Sequence, residues 1–402
     1  MEPRDFQGRA PRLPRWLIPL SVLMLTTAVN LQVPLYTAYA AAAHYGSGRT
    51  AVAFAAYVFG LLPVLIFLGG LSDRIGRKPV LLAALALSLA ATLLMELWPT
   101  MAMLLCARVL QGISVGLSMG AATAYLVDLY PADQRFAPAA VTLASALGFG
   151  GGALLTSLVL LLHPSLTPPS YGLLVAGLTL VFLSSFYWLP AIPAVGGGLL
   201  RPPYFPAGAL KLYLAIGLAW SVSGLVIAVV PAALRQHGLQ LWSGPLLFLV
   251  NGCGAACQFA VGRLGGRRSV ALGCALLAPG TLLLWLGTRA GTIGLLLLGA
   301  SLAGAAGYGL VYRGGLERIV LTAAEKSARA VTGYFLFAYL GFGLPSVLVG
   351  YLADSIGTSP AVGSFAVPVA ALSLLLSAGL FLEDSRGRPA RPARLARKRG
   401  ES

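Results

Sequence analysis

Long apolar runs alternate with short polar intervals along the whole chain. Twelve apolar segments stand out, each of about 20 residues or more. They cover residues 16–40, 51–71, 79–98, 102–127, 136–162, 171–190, 210–234, 241–262, 269–287, 292–312, 328–352 and 363–382. A helix needs about 20 apolar residues to cross the roughly 30 Å hydrocarbon core of a bilayer. The pattern therefore predicts an all-α membrane protein with twelve membrane-spanning helices.

The composition supports this prediction. Of 402 residues, 58% are hydrophobic and only 10% are charged, whereas soluble domains contain about 45–50% apolar and about 25% charged residues. The mean hydropathy is +0.84. Such a chain has too few charges to cover a water-soluble globule. An ordinary cytosolic enzyme, a secreted disulfide scaffold and a disordered chain are therefore excluded.

The first apolar segment resembles a secretory signal peptide in part. Four arginines precede it, and it contains the small-residue string Ala38-Tyr39-Ala40, which is similar to a cleavage site. The apolar stretch is too long for a usual signal core, and eleven further segments follow it. We therefore interpret it as a retained first helix.

The distribution of positive charge predicts the orientation. The chain has 28 Lys and Arg against 12 Asp and Glu, a net charge of +16. With both termini inside, 24 basic residues lie on the inner side and only Arg49, Arg235 and Arg289 on the outer side, with Arg108 inside a span. Cytoplasmic loops collect Lys and Arg in this way. No charged domain exists to bind nucleic acid, so the sequence predicts a lipid membrane, and no nucleic acid, as the partner.

The chain divides into two halves of six spans. Residues 191–209 are rich in Pro and Gly, which end helices, and form a predicted cytoplasmic linker between bundles over 1–190 and 210–382. Residues 383–402 are a basic tail, expected to be disordered and either solvated or resting against anionic lipid. Three short motifs recur at equivalent places in the halves: 147–150 with 340–343, 140–142 with 330–332, and 76–78 with 266–268. Parallel six-helix repeats are typical of transporters with a site between the halves.

A distinctive string, residues 69–78, closes span two: Gly-Gly-Leu-Ser-Asp-Arg-Ile-Gly-Arg-Lys. Its glycines, Gly69 and Gly76, permit tight turns and close helix approach. Asp73 can accept hydrogen bonds from the positive N-terminal end of a helix. The basic residues Arg74, Arg77 and Lys78 can pair with carboxylates or lipid phosphates.

This string resembles the loop signature G-x-x-x-D-R-x-G-R-K of the major facilitator superfamily, and matches every fixed position. Residues 108–112, Arg-Val-Leu-Gln-Gly, resemble a second motif of that family, R-x-x-Q-G. The resemblance covers about residues 16–382 and implies twelve helices in two pseudo-symmetric bundles. It also implies an inner latch that holds the outward-open form. The residues of this inner latch are Gly69, Asp73, Arg74, Gly76, Arg77, Lys78 and Asp128.

The sequence departs from the family pattern in three places. Arg263 stands where the second-half loop would carry the aspartate, which leaves Glu317 as the candidate partner of Arg267. Span five has a glycine-rich stretch similar to the antiporter motif but lacks its proline, while span eleven carries Pro345. No carboxylate or histidine lies near the middle of a span, although proton-coupled transporters usually need one there.

Proton coupling is implied by resemblance to the bacterial drug- and sugar-efflux antiporters of the family. An arginine inside a span normally faces protein or water, so Arg108 and Gln111 are the candidates for coupling or substrate binding. If coupling occurs, Arg108 must act with Glu96 or Asp128.

Neutral polar and aromatic side chains supply the candidates for lining a cavity, and each can equally hold helices together. They are Asn30, Gln32, Tyr36, Tyr125, Trp220, Asn251, Gln258, Tyr308 and Tyr334. Such a cavity suits amphipathic or neutral solutes, and a lone Arg108 would also suit an anionic group. A phosphate substrate normally needs more basic groups.

These observations predict a secondary transporter that moves a small molecule by alternating access, with proton-coupled efflux of a drug-like or amphipathic solute. A sugar, metabolite or metallophore exporter and an uncoupled facilitator remain alternatives. We expect a multi-pass monomer in the cell inner membrane. A convergent catalytic set and a phosphate-binding loop are missing, so we expect no enzyme and no cofactor. The four cysteines lie in apolar runs and predict buried hydrophobic positions rather than a metal site.

Overall fold

The computed structural model describes residues 12–131, 133, 136–194 and 196–386, and this part of the chain is helical without any strand. Its α-helices are α1 Arg12–Asn30, α2 Tyr36–Ala42, α3 Ser47–Phe67, α4 Leu71–Ile75, α5 Arg77–Leu97, α6 Met101–Leu129, α7 Phe136–Leu162, α8 Ser170–Trp188, α9 Leu210–Ala228, α10 Val230–Gln236, α11 Ser243–Leu264, α12 Gly266–Ala290, α13 Ile293–Gly304, α14 Tyr312–Ala323, α15 Ser327–Ile356 and α16 Thr358–Arg386. Most of the basic tail predicted over 383–402 lies outside the described residues.

The described residues make twelve crossings of a membrane. Eleven helical stretches are long and apolar enough to cross, and the longest, Ile293–Ile356, has 64 residues. A straight helix of that length would measure about 96 Å, far more than one bilayer. The chain instead reverses between α14 and α15, where the Tyr334 hydroxyl donates back to the Val311 carbonyl at 3.0 Å. The predicted all-α fold with twelve spans is confirmed.

Two sets of helix contacts organise the fold. In the first half, α1 packs on α7 and α8, while α6 packs on α3 and α5. In the second half, α9 packs on α15, and α12 packs on α13 and α16. Between the halves, α3 packs on α15 and α7 packs on α11. These last two pairs are therefore the surfaces along which the halves touch.

The repeated glycines occupy equivalent positions in the two halves. A Cβ at Gly148 would lie 2.6 Å from the Leu23 carbonyl oxygen of the first span, and a Cβ at Gly341 would lie 2.3 Å from the Gly217 carbonyl oxygen of the seventh. Two residues later, Gly150 faces Phe248 and Gly343 faces Val58, each in the opposite half. The same motif thus packs against one helix of its own half and one helix of the other half.

Three predicted spans differ from the structure. The first and the seventh are not single helices: the first is broken between Asn30 and Tyr36, and the seventh is interrupted at Val229. Pro34 and Pro231 explain the breaks, because proline lacks an N–H group and clashes with the preceding turn. Span ten extends to Ala323 rather than ending at 312, because its last turns carry charged residues and lose the apolar signal.

The two faces of the protein differ in charge. Arg49, Arg235 and Arg289 all lie at helix ends on one face, which we call the outer face. On the opposite, inner face, Arg15 at the start of the first span forms an ion pair of 2.8 Å with Asp133. The Arg15 guanidinium also lies 4.1 Å from the centroid of the Phe136 ring.

We expect Gly341→Ala to destabilise the protein by about 1–3 kcal/mol, because the added methyl group would overlap backbone atoms. Gly120→Ala is the matched control, since a Cβ there meets nothing within 4 Å. Thermal unfolding in detergent measures the difference. Equal melting temperatures for both variants would contradict the close packing of α9 on α15.

Candidate functional site

The break in the first span is held by side chains from span four. Where α1 ends, its last carbonyls lose their partners within the helix. Gln111 donates to the Ala28 carbonyl at 2.9 Å, and Arg108 donates to the Val29 carbonyl at 2.7 Å. Gln32, in the break itself, donates to Val29 at 3.0 Å and to Gln111 at 2.8 Å. The two residues predicted for coupling or substrate binding therefore stabilise the broken helix.

Arg108 is a buried charge, with only 1% of its surface exposed. Its guanidinium lies 4.8 Å from the Tyr57 ring centroid and 5.5 Å from that of Phe54, and donates to the Phe54 carbonyl at 3.4 Å. Within the part of the chain that the structure describes, its Nε has no hydrogen-bond partner. None of the ion pairs among the described residues includes Arg108, so neither Glu96 nor Asp128 is paired with it in this state.

Three of the cavity candidates donate hydrogen bonds to backbone carbonyls. Asn30 donates to the Phe149 carbonyl of span five at 2.8 Å. Tyr125 donates to the Pro190 carbonyl, and Asn251 donates back to the Leu247 carbonyl of its own helix at 2.9 Å. Tyr36 differs, because its hydroxyl is buried and unpartnered.

Span ten contains a π-helical segment, Ala305–Val311. Such a segment disturbs the normal hydrogen-bond ladder and is frequent at functional sites. Gln258 donates to the Tyr308 carbonyl at 3.1 Å, and Tyr334 donates to the Val311 and Tyr312 carbonyls at 3.0 and 3.3 Å. Gln258 and Tyr334 therefore stabilise the segment from neighbouring helices.

Aromatic rings gather around Trp220 of span seven. Its ring centroid lies 5.4 Å from that of Tyr308, 6.2 Å from Tyr312, 4.9 Å from Tyr339 and 5.9 Å from Phe342. These five residues form what we call the aromatic cluster. The Trp220 indole Nε1 is buried and has no hydrogen-bond partner among the described residues.

The aromatic cluster continues into the first half. Phe54 meets Phe342 with ring centroids 4.7 Å apart, and Tyr57 meets Tyr339 at 6.3 Å. A row of rings therefore runs from beneath Arg108 to Trp220 across the boundary between the halves.

Part of this row is not fully buried. Tyr308, Tyr312 and Tyr339 are each partly exposed, although they lie within spans. Sequence reasoning missed Phe54, Tyr57 and Phe342 because aromatic residues inside apolar runs carry no distinguishing pattern. Together with Arg108, these rings form the candidate solute site.

Three charged residues of the inner latch meet at the inner end of spans two to four. Arg77 donates to Asp73, to the Ser72 hydroxyl at 2.8 Å and to Asp128 at 3.0 Å. Arg77 is buried, so both carboxylates compensate its charge. The structure thus brings Asp73, Arg77 and Asp128 together.

The other members of the inner latch have separate environments. Gly76 adopts a φ of +97° between α4 and α5, a conformation that favours glycine. Gly69 leaves room for a side chain of the linker, since a Cβ there would lie 3.0 Å from the Arg201 Cδ. Lys78 lies 5.8 Å from the Phe186 ring centroid, while Arg74 is exposed.

The central linker contributes a residue that sequence reasoning missed. Arg201 forms an ion pair of 2.7 Å with the second carboxylate oxygen of Asp73. Its backbone N–H donates to the Ile66 carbonyl at 2.9 Å, and the Gly70 N–H donates to the Leu199 carbonyl at 3.1 Å. The linker was predicted only from its Pro and Gly content, which gives no information about its contacts.

The same linker also contacts the second half. The Tyr204 N–H donates to the Arg329 carbonyl at 3.0 Å, and Arg329 donates to the Pro202 carbonyl at 3.1 Å. We call residues 199–204 the linker strap. It connects the inner end of α3 to the beginning of α15.

The expected pairing of Arg267 with Glu317 is wrong. The Arg267 guanidinium lies 4.0 Å from Glu383 of α16, which also pairs with Lys211. The packing of α12 against α16 brings Glu383 to Arg267.

At the outer face, a carboxylate joins the two halves. Asp354, near the end of α15, accepts hydrogen bonds from the N–H groups of Ser47 at 2.7 Å and Gly48 at 2.9 Å. These are the first residues of α3, whose own N-cap, Gly46, supplies no side-chain cap. Arg235 adds a bond of 2.7 Å to the Thr37 carbonyl. The halves are therefore joined on the outer side.

A cavity of about 490 Å³ lies beside these contacts at the outer face. Its walls include Tyr36, Thr37, Arg235 and Asp354. Tyr36 thus separates this outer cavity from the buried region around Arg108.

The described residues hold no group of three or more His, Cys, Asp or Glu side chains that could bind a metal ion. Cys274 is buried as expected, but Cys106 is exposed and Cys253 and Cys257 are partly exposed. Cys106 follows Leu105, itself 41% exposed, on an apolar surface of α6 that the remaining helices leave uncovered.

Comparison with known proteins identifies relatives of this chain. A family model described as Major Facilitator Superfamily matches residues 19–316. The multidrug resistance protein MdtL of Escherichia coli is 31% identical over 114 residues, which are 28% of this chain and 29% of that protein. The matched region therefore spans less than a third of the length of these curated relatives.

Solved structures share the fold over nearly the whole chain. The human organic anion transporter MFSD10 (TETRAN) has a TM-score of 0.65 at 20% identity, covering 92% of this chain and 100% of that one. The nucleoside transporter NupG has a TM-score of 0.71 at 14% identity, covering 92% and 99%. A bacterial homologue of the human lysosomal transporter Spinster, inward-facing and unoccupied, has 0.73 at 14% identity, covering 96% and 100%.

We expect Arg201→Gln to loosen the linker strap, because it removes the ion pair with Asp73. Partly exposed ion pairs contribute about 0.2–1 kcal/mol, so amide exchange at Gly70 and Arg201 should accelerate by up to about fivefold. Hydrogen–deuterium exchange with mass spectrometry measures this. Arg74→Gln is the control, since Arg74 is exposed. Unchanged exchange in Arg201→Gln would show that backbone contacts alone hold the strap.

Asp354→Ala should loosen the start of α3, because two N–H groups lose their acceptor. Loss of a helix cap costs about 0.5–2 kcal/mol, so amide exchange at Ser47 and Gly48 should rise about two- to thirtyfold. Asp354→Asn should accelerate this exchange less, since the amide oxygen of asparagine can still accept these hydrogen bonds. Glu96→Gln, also at an outer helix end, is the control. An equal effect of all three variants would argue against the outer contact.

Proposed function

Because the chain belongs to the major facilitator superfamily, we propose that it is a secondary active transporter working by alternating access. The proposed activity is proton-coupled efflux of a drug-like or amphipathic solute across the cell inner membrane, by a monomer. The observation that carries the proposal is the row of aromatic rings that crosses from Arg108 in one half to Trp220 in the other. Transporters built from two such repeats bind their substrates between the halves, near the middle of the membrane.

The chemistry of the site supports an amphipathic solute. Rings bury large apolar areas and stack on other rings, and Arg108 is the ionised group beside them. The similarity to the multidrug resistance protein MdtL, over 114 residues, supports an efflux role.

The contacts between the halves support the proposed alternating access. In the present state the outer side is held closed by the hydrogen bond of Asp354 to the beginning of α3 and by the packing of α3 on α15. Opening that side must break the contacts of Asp354 and separate Phe54 from Phe342. The halves are then free to rock around the solute, and opening the inner side must instead break the inner latch and the linker strap.

Proton coupling needs a group that titrates, and Arg108 is not one, since a guanidinium keeps its proton in proteins. In our proposal Asp128 takes this role. Its protonation would remove one of the two carboxylates that compensate Arg77. A proton would then weaken the inner latch, which links the proton gradient to the conformation.

An uncoupled facilitator, or an exporter of a sugar, metabolite or metallophore, is the alternative. One observation favours a facilitator: among the described residues Arg108 is bonded to backbone carbonyls and a glutamine, and to no carboxylate.

The test is flux of fluorescent drug-like solutes into proteoliposomes that contain the full chain. We expect accumulation driven by an imposed proton gradient and its loss on adding a protonophore. Asp73→Asn should fold normally and lose about tenfold or more of the flux, because Arg77 and Arg201 lose a charged partner. Arg289→Gln, at an exposed arginine on the outer face, should retain flux. Accumulation that survives full collapse of the gradient would replace antiport by the alternative.

A further inference from the structure

We propose that the site between Arg108 and the aromatic cluster selects aromatic organic anions over neutral and cationic solutes of the same shape. The solute's carboxylate or sulfonate would accept from Arg108, and its rings would lie along the row that leads to Trp220. This inference rests on the proposed function, because it names the substrate class of the same site.

The first argument is charge. Arg108 is 1% exposed and permanently charged, yet its described partners are the Val29 and Phe54 carbonyls and the Gln111 amide. A buried charge is costly unless a counter-charge compensates it. An anionic solute supplies that counter-charge. A cation at the same place would be repelled, and a neutral solute would leave the charge uncompensated.

The second argument concerns two buried hydrogen-bond donors that lack an acceptor among the described residues. The Arg108 Nε and the Trp220 Nε1 are both buried without a partner. Both atoms carry a hydrogen and can only donate. Leaving a buried donor without an acceptor is unfavourable. Each half thus contributes one donor that an acceptor on a ligand would satisfy.

The third argument is the surface between these donors. Tyr57 and Phe54 lie beneath Arg108, and they meet Tyr339 and Phe342, which surround Trp220. No other charged side chain is part of this row. Ring faces and edges favour stacking with an aromatic solute. The site therefore combines one positive end with an uncharged aromatic wall.

The structural role of Arg108 does not conflict with this inference. A guanidinium has five N–H donors, and the bonds to Val29, Gln111 and Phe54 use its two terminal nitrogens. The Nε is not used by these bonds. The same side chain can thus hold the broken first span and present a donor to a ligand.

Three probes with the same ring system test the proposal: naphthalenesulfonate, naphthol and naphthylmethylammonium. Equilibrium binding is measured on the full chain in detergent at neutral pH. We expect the sulfonate to bind at least about tenfold more tightly than naphthol, since one charge-assisted hydrogen bond gives that factor or more. The ammonium should bind most weakly. Equal or tighter binding of naphthol or of the ammonium overturns the proposal, as does the absence of sulfonate binding.

Variants separate the two donors. Arg108→Gln should reduce the preference for sulfonate over naphthol to about twofold or less. Arg108→Lys retains the positive charge and should still prefer sulfonate over naphthol. Trp220→Phe keeps a ring, removes the donor, and should weaken sulfonate binding by about three- to tenfold. Trp188→Phe, at an exposed tryptophan, is the control. If Arg108→Gln fails to fold, Trp220→Phe and Arg108→Lys decide. Wild-type affinity in Trp220→Phe would overturn the role of its indole.

Flux of the same probes distinguishes this inference from the proposed function. Sulfonate that binds without crossing proteoliposome membranes would contradict transport and leave the ligand class standing. Transport of naphthol or the ammonium but not of the sulfonate would contradict the ligand class and leave transport standing.

Discussion

In hydrocarbon, every backbone N–H and C=O must find a partner within the protein, and this requirement governs the whole structure. The first span breaks at Pro34, and the tenth contains a π-helical segment. The carbonyls freed at these places are taken by Arg108, Gln111 and Gln32 in one half, and by Gln258 and Tyr334 in the other. These polar side chains at membrane depth therefore donate hydrogen bonds to the carbonyls of irregular backbone.

This use of the polar side chains changes what remains for a solute. The amides that seemed suited to line a cavity are engaged, whereas aromatic rings and two unpartnered donors are left between the halves. The site is thus defined by hydrophobic area and one buried charge rather than by a network of amides. The irregular backbone and the solute site depend on each other, since Arg108 belongs to both.

The sequence predicted the number of spans and the repeat, because apolar length and glycine motifs are local signals. Gly148 and Gly341 show how directly such a motif can report packing, since each touches the backbone of the first span of its half. Other features were hidden. Arg201 lies in a linker whose sequence has no regular pattern. Asp354 caps α3, a helix that begins about 300 residues earlier in the chain. Phe54 and Phe342 are indistinguishable from other apolar residues until the helices are assembled.

A carboxylate lies near each end of the packed pair α3 and α15. On the outer side, Asp354 near the end of α15 caps the beginning of α3. On the inner side, the beginning of α15 has no side-chain cap, and Asp73, just after α3, is held by Arg77 and Arg201. Only the outer cap is formed here, while Arg77 and Arg201 hold the inner carboxylate. The linker strap that supplies Arg201 also bonds to Arg329 at the beginning of α15. In the cycle proposed above, separating the inner ends of α3 and α15 would require the linker strap to release one of them, so the linker would take part in the conformational change as well as connecting the halves.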